Sequence, residues 1–288
     1  MEALRITNGP TVLSALRTDA GQGMASAPPV LFLHGITSCS DTWIEAMERL
    51  EGRFECWALD FRGHGGSDRA SGRYSLEHYA ADAGAALERI GRPAVVVGHS
   101  LGGMTAAHLG HNANPLVSAV FLEDPPLYLS DPAVFANTVY PERFRRAREM
   151  VLQLAAAGAS SEDYLALARD TPSAMGGVEG DHLTERQLIS RARQLAQFDP
   201  SCLDFAIDGR VFAGLDATLP IACPAVLLAA NPALGAAFLD DDHARFAAAN
   251  PSARIIPFPE VGHPIHAAKV SATRFLDELD AFVSDHHG

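Results

Sequence analysis

The apolar positions of this chain fall into short continuous runs separated by amphipathic stretches. Val30–Leu33, residues 94–97 and Ala225–Ala230 are apolar without alternation, and residues 117–122 nearly so. That is the pattern of strands covered on both faces in a parallel sheet. Residues 54–60 and 253–258 read as two further strands. Between them lie helical repeats. Residues 41–50 put Trp43, Met47 and Leu50 on one face, residues 75–90 carry a stripe of Leu76, Tyr79, Ala83, Ala86, Leu87 and Ile90, and helices are predicted near residues 240–249 and 267–283. Residues 4–7 and 11–17 flank Asn8-Gly9-Pro10 and predict an antiparallel hairpin at the sheet edge. Regular alternation of strand and helix calls for right-handed crossovers and a ligand site beyond the strand C-termini.

From Leu127 to about Pro220 the central-strand runs disappear. Helical patterns at residues 141–157, Ser161–Asp170 and residues 184–198 replace them, separated by Pro172, Gly176-Gly177 and Asp199-Pro200. The expected organisation is therefore a core domain in two parts, residues 1–126 and 221–288, with a helical cap at residues 127–220 inserted above the site. The segment 21–29 reads as a loose connection, and no internal repeat is visible.

Composition narrows the function classes. A length of 288 residues can bury a large core. No apolar stretch reaches the roughly 18 residues that span a bilayer, and the start of the chain lacks the basic and apolar regions of a secretory signal, so a cytoplasmic location is expected. A formal charge of −13 disfavours nucleic acid and anionic membranes as partners and suits a neutral, partly apolar small molecule. Cys39, Cys56, Cys202 and Cys223 show neither disulfide nor zinc spacing and are expected to be reduced. His286-His287 lies in the C-terminal tail, and no histidine pair sits in a ligand motif, so neither metal nor cofactor is expected. Asp240-Asp241-Asp242 matches the acidic start that a helix dipole favours. Oligomeric state leaves no mark on the sequence.

Candidate chemistry concentrates at Gly98-His99-Ser100-Leu101-Gly102-Gly103, between the strand at 94–97 and an apolar helix. A strand turning abruptly into a helix leaves no room for side chains at Gly98 and Gly102 and thrusts Ser100 out at the top of the sheet. The N–H of Leu101, at the helix N-terminus, then faces any oxyanion formed on a group attacked by Ser100. His34-Gly35-Ile36-Thr37, after the strand Val30–Leu33, offers the N–H of Ile36 as a second donor. His64, among glycines in the loop 60–68, is read as pinning that loop.

Together with Val261-Gly262-His263, these motifs and their order resemble the capped α/β-hydrolase fold superfamily over essentially the whole chain. The resemblance implies a mostly parallel central sheet flanked by helices, with the cap inserted, and a serine nucleophile. A serine hydroxyl needs a base to attack at neutral pH, and the family's last loop supplies it, which points to His263; His266 is the rival, better read as packing or supporting. The family's commonest acid position, after the strand that follows the cap, holds Asn231, which carries no charge. A minority of the family places the acid one strand earlier, where Asp124 stands, with Glu123 and the run Asp240 to Asp242 as alternatives. The reaction implied is ester or lactone hydrolysis through an acyl-enzyme, with carbon–carbon hydrolysis of a vinylogous diketone, or a small-molecule receptor on the same fold, as alternatives. Epoxide hydrolysis and dehalogenation fit poorly, because their family nucleophile is an aspartate at the position of Ser100.

Overall fold

The structure, a computed structural model, describes residues 1–19, 21 and 27–286. Most of the loose connection predicted at 21–29, and His287 of the tail, lie outside the described residues. In chain order the elements are β1 (Glu2–Asn8), β2 (Thr11–Thr18), β3 (Val30–Leu33), α1 (Ile44–Leu50), β4 (Cys56–Asp60), α2 (Leu76–Ile90), β5 (Ala94–His99), α3 (Leu101–His111) and β6 (Val117–Glu123). Six helices follow without a named strand: α4 (Pro132–Ala136), α5 (Tyr140–Ala156), α6 (Ser161–Asp170), α7 (Glu179–His182), α8 (Glu185–Gln197) and α9 (Cys202–Ile207). The chain returns through β7 (Ala225–Ala230), α10 (Asp240–Ala249), β8 (Arg254–Phe258) and α11 (Ala272–Asp285).

The eight strands form one sheet in the order β1-β2-β4-β3-β5-β6-β7-β8. β4 to β8 with β3 pair in parallel, and the hairpin β1-β2 joins antiparallel at the β4 edge. Because side chains alternate across a strand, the apolar runs feed two separate cores. Leu31, Leu33, Val96, Val120, Leu122 and Leu227 face α2, α3 and the helices between β6 and β7. Val30, Phe32, Val97, Phe121, Val226 and Leu228 face α1 and α11. The first core is continuous with Phe135, Tyr140, Val151, Tyr164 and Phe205, so the inserted helices share one apolar interior with the sheet.

Two expectations need correction. The last helix begins at Ala272 rather than 267. Residues 267–271 are instead tied to the insertion, by a bridge between Leu183 and Ala268 and by the Lys269 N–H donating to the His182 carbonyl at 2.9 Å. The insertion also contains three short helices, α4, α7 and α9, that helical periodicity did not indicate; runs of four to six residues are too short to show a 3.6-residue stripe. No helix among the described residues is long and apolar enough to cross a membrane.

Candidate active site

The site is assembled at the C-terminal ends of β3, β5 and β6. β5 runs beside β3 with Gly98 opposite Leu33, and beside β6 with His99 opposite Glu123. The chain then reverses at Ser100, whose φ is 53° and ψ −114°, and enters α3. Glycine is required on both sides. A Cβ on Gly98 would stand 2.2 Å from the Gly102 carbonyl oxygen, and one on Gly102 would stand 2.0 Å from that of Leu33. Ser100 is anchored by its own N–H, which donates to the Glu123 carbonyl at 3.0 Å.

Backbone strain gathers at the same edge of the sheet. Four non-glycine residues among those described have positive φ, and three of them are Thr37, Ser100 and Asp124. Each such conformation costs about 1–3 kcal/mol and persists where the surroundings enforce it, which is common at functional sites. The Gly35 loop packs directly on the sharp turn at Ser100, the elbow between β5 and α3: a Cβ there would lie 3.2 Å from the Ser100 Cβ and 2.8 Å from the His99 ring. The N–H groups of Ile36 and Leu101, expected as oxyanion donors, have no acceptor among the described residues.

Asp124, fully buried, follows the last residue of β6. Its Oδ2 lies 2.5 Å from His263 Nδ1, and its two oxygens also accept the N–H groups of Ala237 (2.8 Å) and Phe238 (3.1 Å). Glu123 binds a different histidine. His266 donates its N–H to Glu123 at 2.9 Å and sets Nδ1 2.8 Å from the same carboxylate, while Nε2 meets the Thr42 hydroxyl at 2.7 Å and the ring stacks on Trp43. The two neighbouring carboxylates thus hold two histidines three residues apart. His266 is shut away, whereas the His263 side chain is 22% exposed. The Ser100 hydroxyl makes no hydrogen bond among the described residues; His99, beside it, has its ring centroid 4.6 Å from that of His263.

The other histidines near the site are held neutral. Burial lowers the pKa of His34 to about 4 and, with the field of His34 added, that of His64 to about 3. Burial, then the neighbouring rings of His263 and His266, push His99 well below its ordinary value. His34 Nε2 accepts the Phe61 N–H at 3.0 Å and His64 Nε2 accepts that of Thr37 at 3.3 Å, so both rings pin loops around the turn at residues 34–37. The remaining candidates lie elsewhere. Asp242 accepts the Leu239 N–H at 2.9 Å at the start of α10, and Asn231 braces two loops through the Ala233 N–H and the Pro259 carbonyl. No group of three or more His, Cys, Asp or Glu side chains among the described residues could hold a metal ion.

Residues 28–173 match the family model described as the alpha/beta hydrolase fold. The chain belongs to that family. Among curated relatives, 2-(acetamidomethylene)succinate hydrolase of Mesorhizobium japonicum is 38% identical over 112 residues, which span 38% of this chain and 40% of that enzyme. Solved structures align over far more of the hydrolase. A thermophilic esterase from Thermogutta terrifontis superposes with a TM-score of 0.69 at 20% identity, covering all of both chains. The enol-lactonase from Burkholderia xenovorans LB400 gives 0.68 at 19% identity, covering 98% of this chain and 100% of its own. At such identities these likenesses show the shared fold.

Tyr140 of α5 sets its ring centroid 6.3 Å from that of His263 and donates its hydroxyl to the Gly235 carbonyl. Sequence reasoning missed two residues near these loops, Arg143, one turn after Tyr140, and Arg191 of α8. No local signal marks them, because helices of the insertion supply them. The Glu123–His266 pair had a faint one, in adjacent carboxylates matched by histidines at i and i+3.

Proposed function

We propose that this α/β-hydrolase cleaves a carboxylic ester or lactone through an acyl-enzyme on Ser100. The Asp124–His263 pair beside the strained elbow carries this reading. His263 Nε2 takes the Ser100 proton as Oγ bonds to the substrate carbonyl carbon, while Asp124 keeps Nδ1 protonated and stabilises the imidazolium. Negative charge collecting on the carbonyl oxygen is met by the unpartnered N–H groups of Ile36 and Leu101; loss of one such donor typically costs about 3 kcal/mol of transition-state stabilisation. Collapse of the tetrahedral intermediate breaks the carbon–oxygen bond to the leaving group, which receives the proton from His263. Water then repeats the sequence on the acyl-enzyme and releases the acid. The helices between β6 and β7 act as a cap over the acyl and alcohol sides.

The test is a panel of activated esters, lactones and a vinylogous diketone assayed with wild type and Ser100→Ala, together with a serine-directed phosphonate. A burst of released alcohol in wild type, its loss in Ser100→Ala, and mass mapping of the adduct to Ser100 are expected. Full turnover by Ser100→Ala, or an adduct elsewhere, rejects the mechanism.

A further inference from the structure

The composition argued for a neutral substrate, yet Arg191 and Arg143, two cations of the helices between β6 and β7, form no ion pair among the described residues. Arg191, partly buried on α8, reaches across to the oxyanion loop. Its Nη1 donates to the Thr37 carbonyl oxygen at 2.8 Å and to the Thr37 hydroxyl at 3.1 Å, with Gln194 Oε1 at 3.5 Å. Every one of its hydrogen bonds leaves from that nitrogen, so Nε and Nη2 find no acceptor among the described residues. Burial pulls its pKa down from the usual guanidinium value; Glu179 and then Cys39 oppose this without an ion pair to it, and Arg143 adds to it.

Arg143 is the second cation. It stands one turn after Tyr140 on α5, with Nη1 3.4 Å from where a Cβ on Gly235 would be, and forms no ion pair among the described residues. Its charge is felt both by Arg191 and by the Tyr140 hydroxyl, whose pKa burial raises most and Asp124 raises further. One cation therefore touches the loop that offers the Ile36 N–H, and the other flanks the tyrosine that faces His263. Elsewhere on the surface most arginines are neutralised, as Arg186 is by Glu48 and Arg53 by Asp280. The charge of Arg143 disfavours that of Arg191, and the Arg191 guanidinium, drawn from water without a carboxylate, is costly. An arriving anion removes both penalties, and a carboxylate matches the planar fork of a guanidinium.

We infer that Arg191 and Arg143 form a carboxylate-recognition site, so that the substrate carries a free carboxylate besides the carbonyl attacked by Ser100. This rests on the hydrolase reading above. It also replaces the expectation of a neutral substrate: a net charge summed over the molecule says nothing of two unpaired cations on neighbouring helices.

The experiment compares kcat/KM for the para-nitrophenyl monoester of glutarate, whose second carboxylate is free, with that for the matching glutaramate ester, where an amide replaces it. Wild type is expected to favour the charged ester by about 10- to 100-fold, the factor equivalent to a hydrogen bond to a charged group. Arg191→Gln, and separately Arg143→Gln at an exposed position where folding is not at stake, should each bring the ratio towards one. Free glutarate should inhibit wild type more strongly than glutaramate, and this difference should shrink in both variants. A wild-type ratio near one, or a ratio that neither variant changes, overturns the inference. If Arg191→Gln lowers both esters equally and Arg143→Gln lowers neither, Arg191 only braces Thr37 and the inference falls as well. Loss of the serine mechanism is a separate outcome, recognised by undiminished turnover of both esters in Ser100→Ala.

Discussion

At the scale of single residues, consecutive side chains at the end of β6 are sent to different tasks by strand geometry. Glu123 continues the side of Ala119 and Phe121, where α1, Trp43 and α11 close over it, and its carboxylate with His266 is sealed. Asp124 leaves the strand with φ of 42° and turns to His263, which remains partly open. The proposed mechanism uses the open pair. Asp124→Asn should therefore keep the fold and lower kcat by roughly 10⁴-fold, as the equivalent change does in serine proteases, because the charge and the correct tautomer are both lost. Glu123→Gln breaks a buried pair instead and should cost about 3–5 kcal/mol of stability, with the smaller loss of kcat. Steady-state kinetics beside urea denaturation separate the two; a larger kcat loss in Glu123→Gln than in Asp124→Asn would move the acid to Glu123. Asn231→Asp, the change that restores the family's commoner acid position, would set a carboxylate against the Pro259 carbonyl that Asn231 Nδ2 now reaches at 2.7 Å. It should destabilise the protein and give Asp124→Asn no rescue.

At the scale of elements, the elbow is first of all a packing constraint. The atoms that a Cβ on Gly98 would strike belong to backbone of α3, which cannot move without withdrawing the helix from β3 and β6. Gly98→Ala should lower stability by more than about 4 kcal/mol, a size reserved for disrupted cores and strained backbones, measured by urea titration of soluble protein. A loss under about 1 kcal/mol would mean that the elbow relaxes cheaply. The insertion is likewise not a detachable lid, since Phe135, Tyr140 and Val151 share an interior with Leu122 and Leu203. Deleting residues 127–220 should yield insoluble protein; a soluble, cooperatively melting remnant would show that the sheet closes its own core.

At the scale of the whole molecule, the neutral buried histidines couple stability to pH. In the unfolded chain His34 and His64 titrate near 6.5, but in the folded protein burial lowers them to about 4 and about 3. Above pH 6.5 both are neutral in either state and contribute no slope. As pH falls below it, the unfolded chain takes up protons that the folded protein refuses, so stability drops by up to about 1.4 kcal/mol per pH unit for each histidine, until the folded values are reached. Urea midpoints should thus fall steadily from about pH 6.5 to pH 4, and His64→Gln should flatten the slope by about one proton. A slope that His64→Gln leaves unchanged would mean that His64 is not the group taking up the proton.

What was legible in the sequence was whatever local chemistry enforces. Unbroken β-branched runs specify buried strands, and glycines at 98 and 102 specify a turn too tight for side chains. Ser100 and His263 stood out from such motifs, while the acid stayed open among Asp124, Glu123 and Asp240 to Asp242. Tertiary structure alone decided the rest. Which of Glu123 and Asp124 meets His263 depends on how β6 ends and on α1 and α11 covering one face. The late start of α11 depends on contacts with the insertion. The nearness of Arg143 and Arg191 requires α5 and α8, 48 positions apart in these two residues, to pack together. Periodicity records the face a residue buries, while the partner brought to that face is set by how elements distant in the chain pack together.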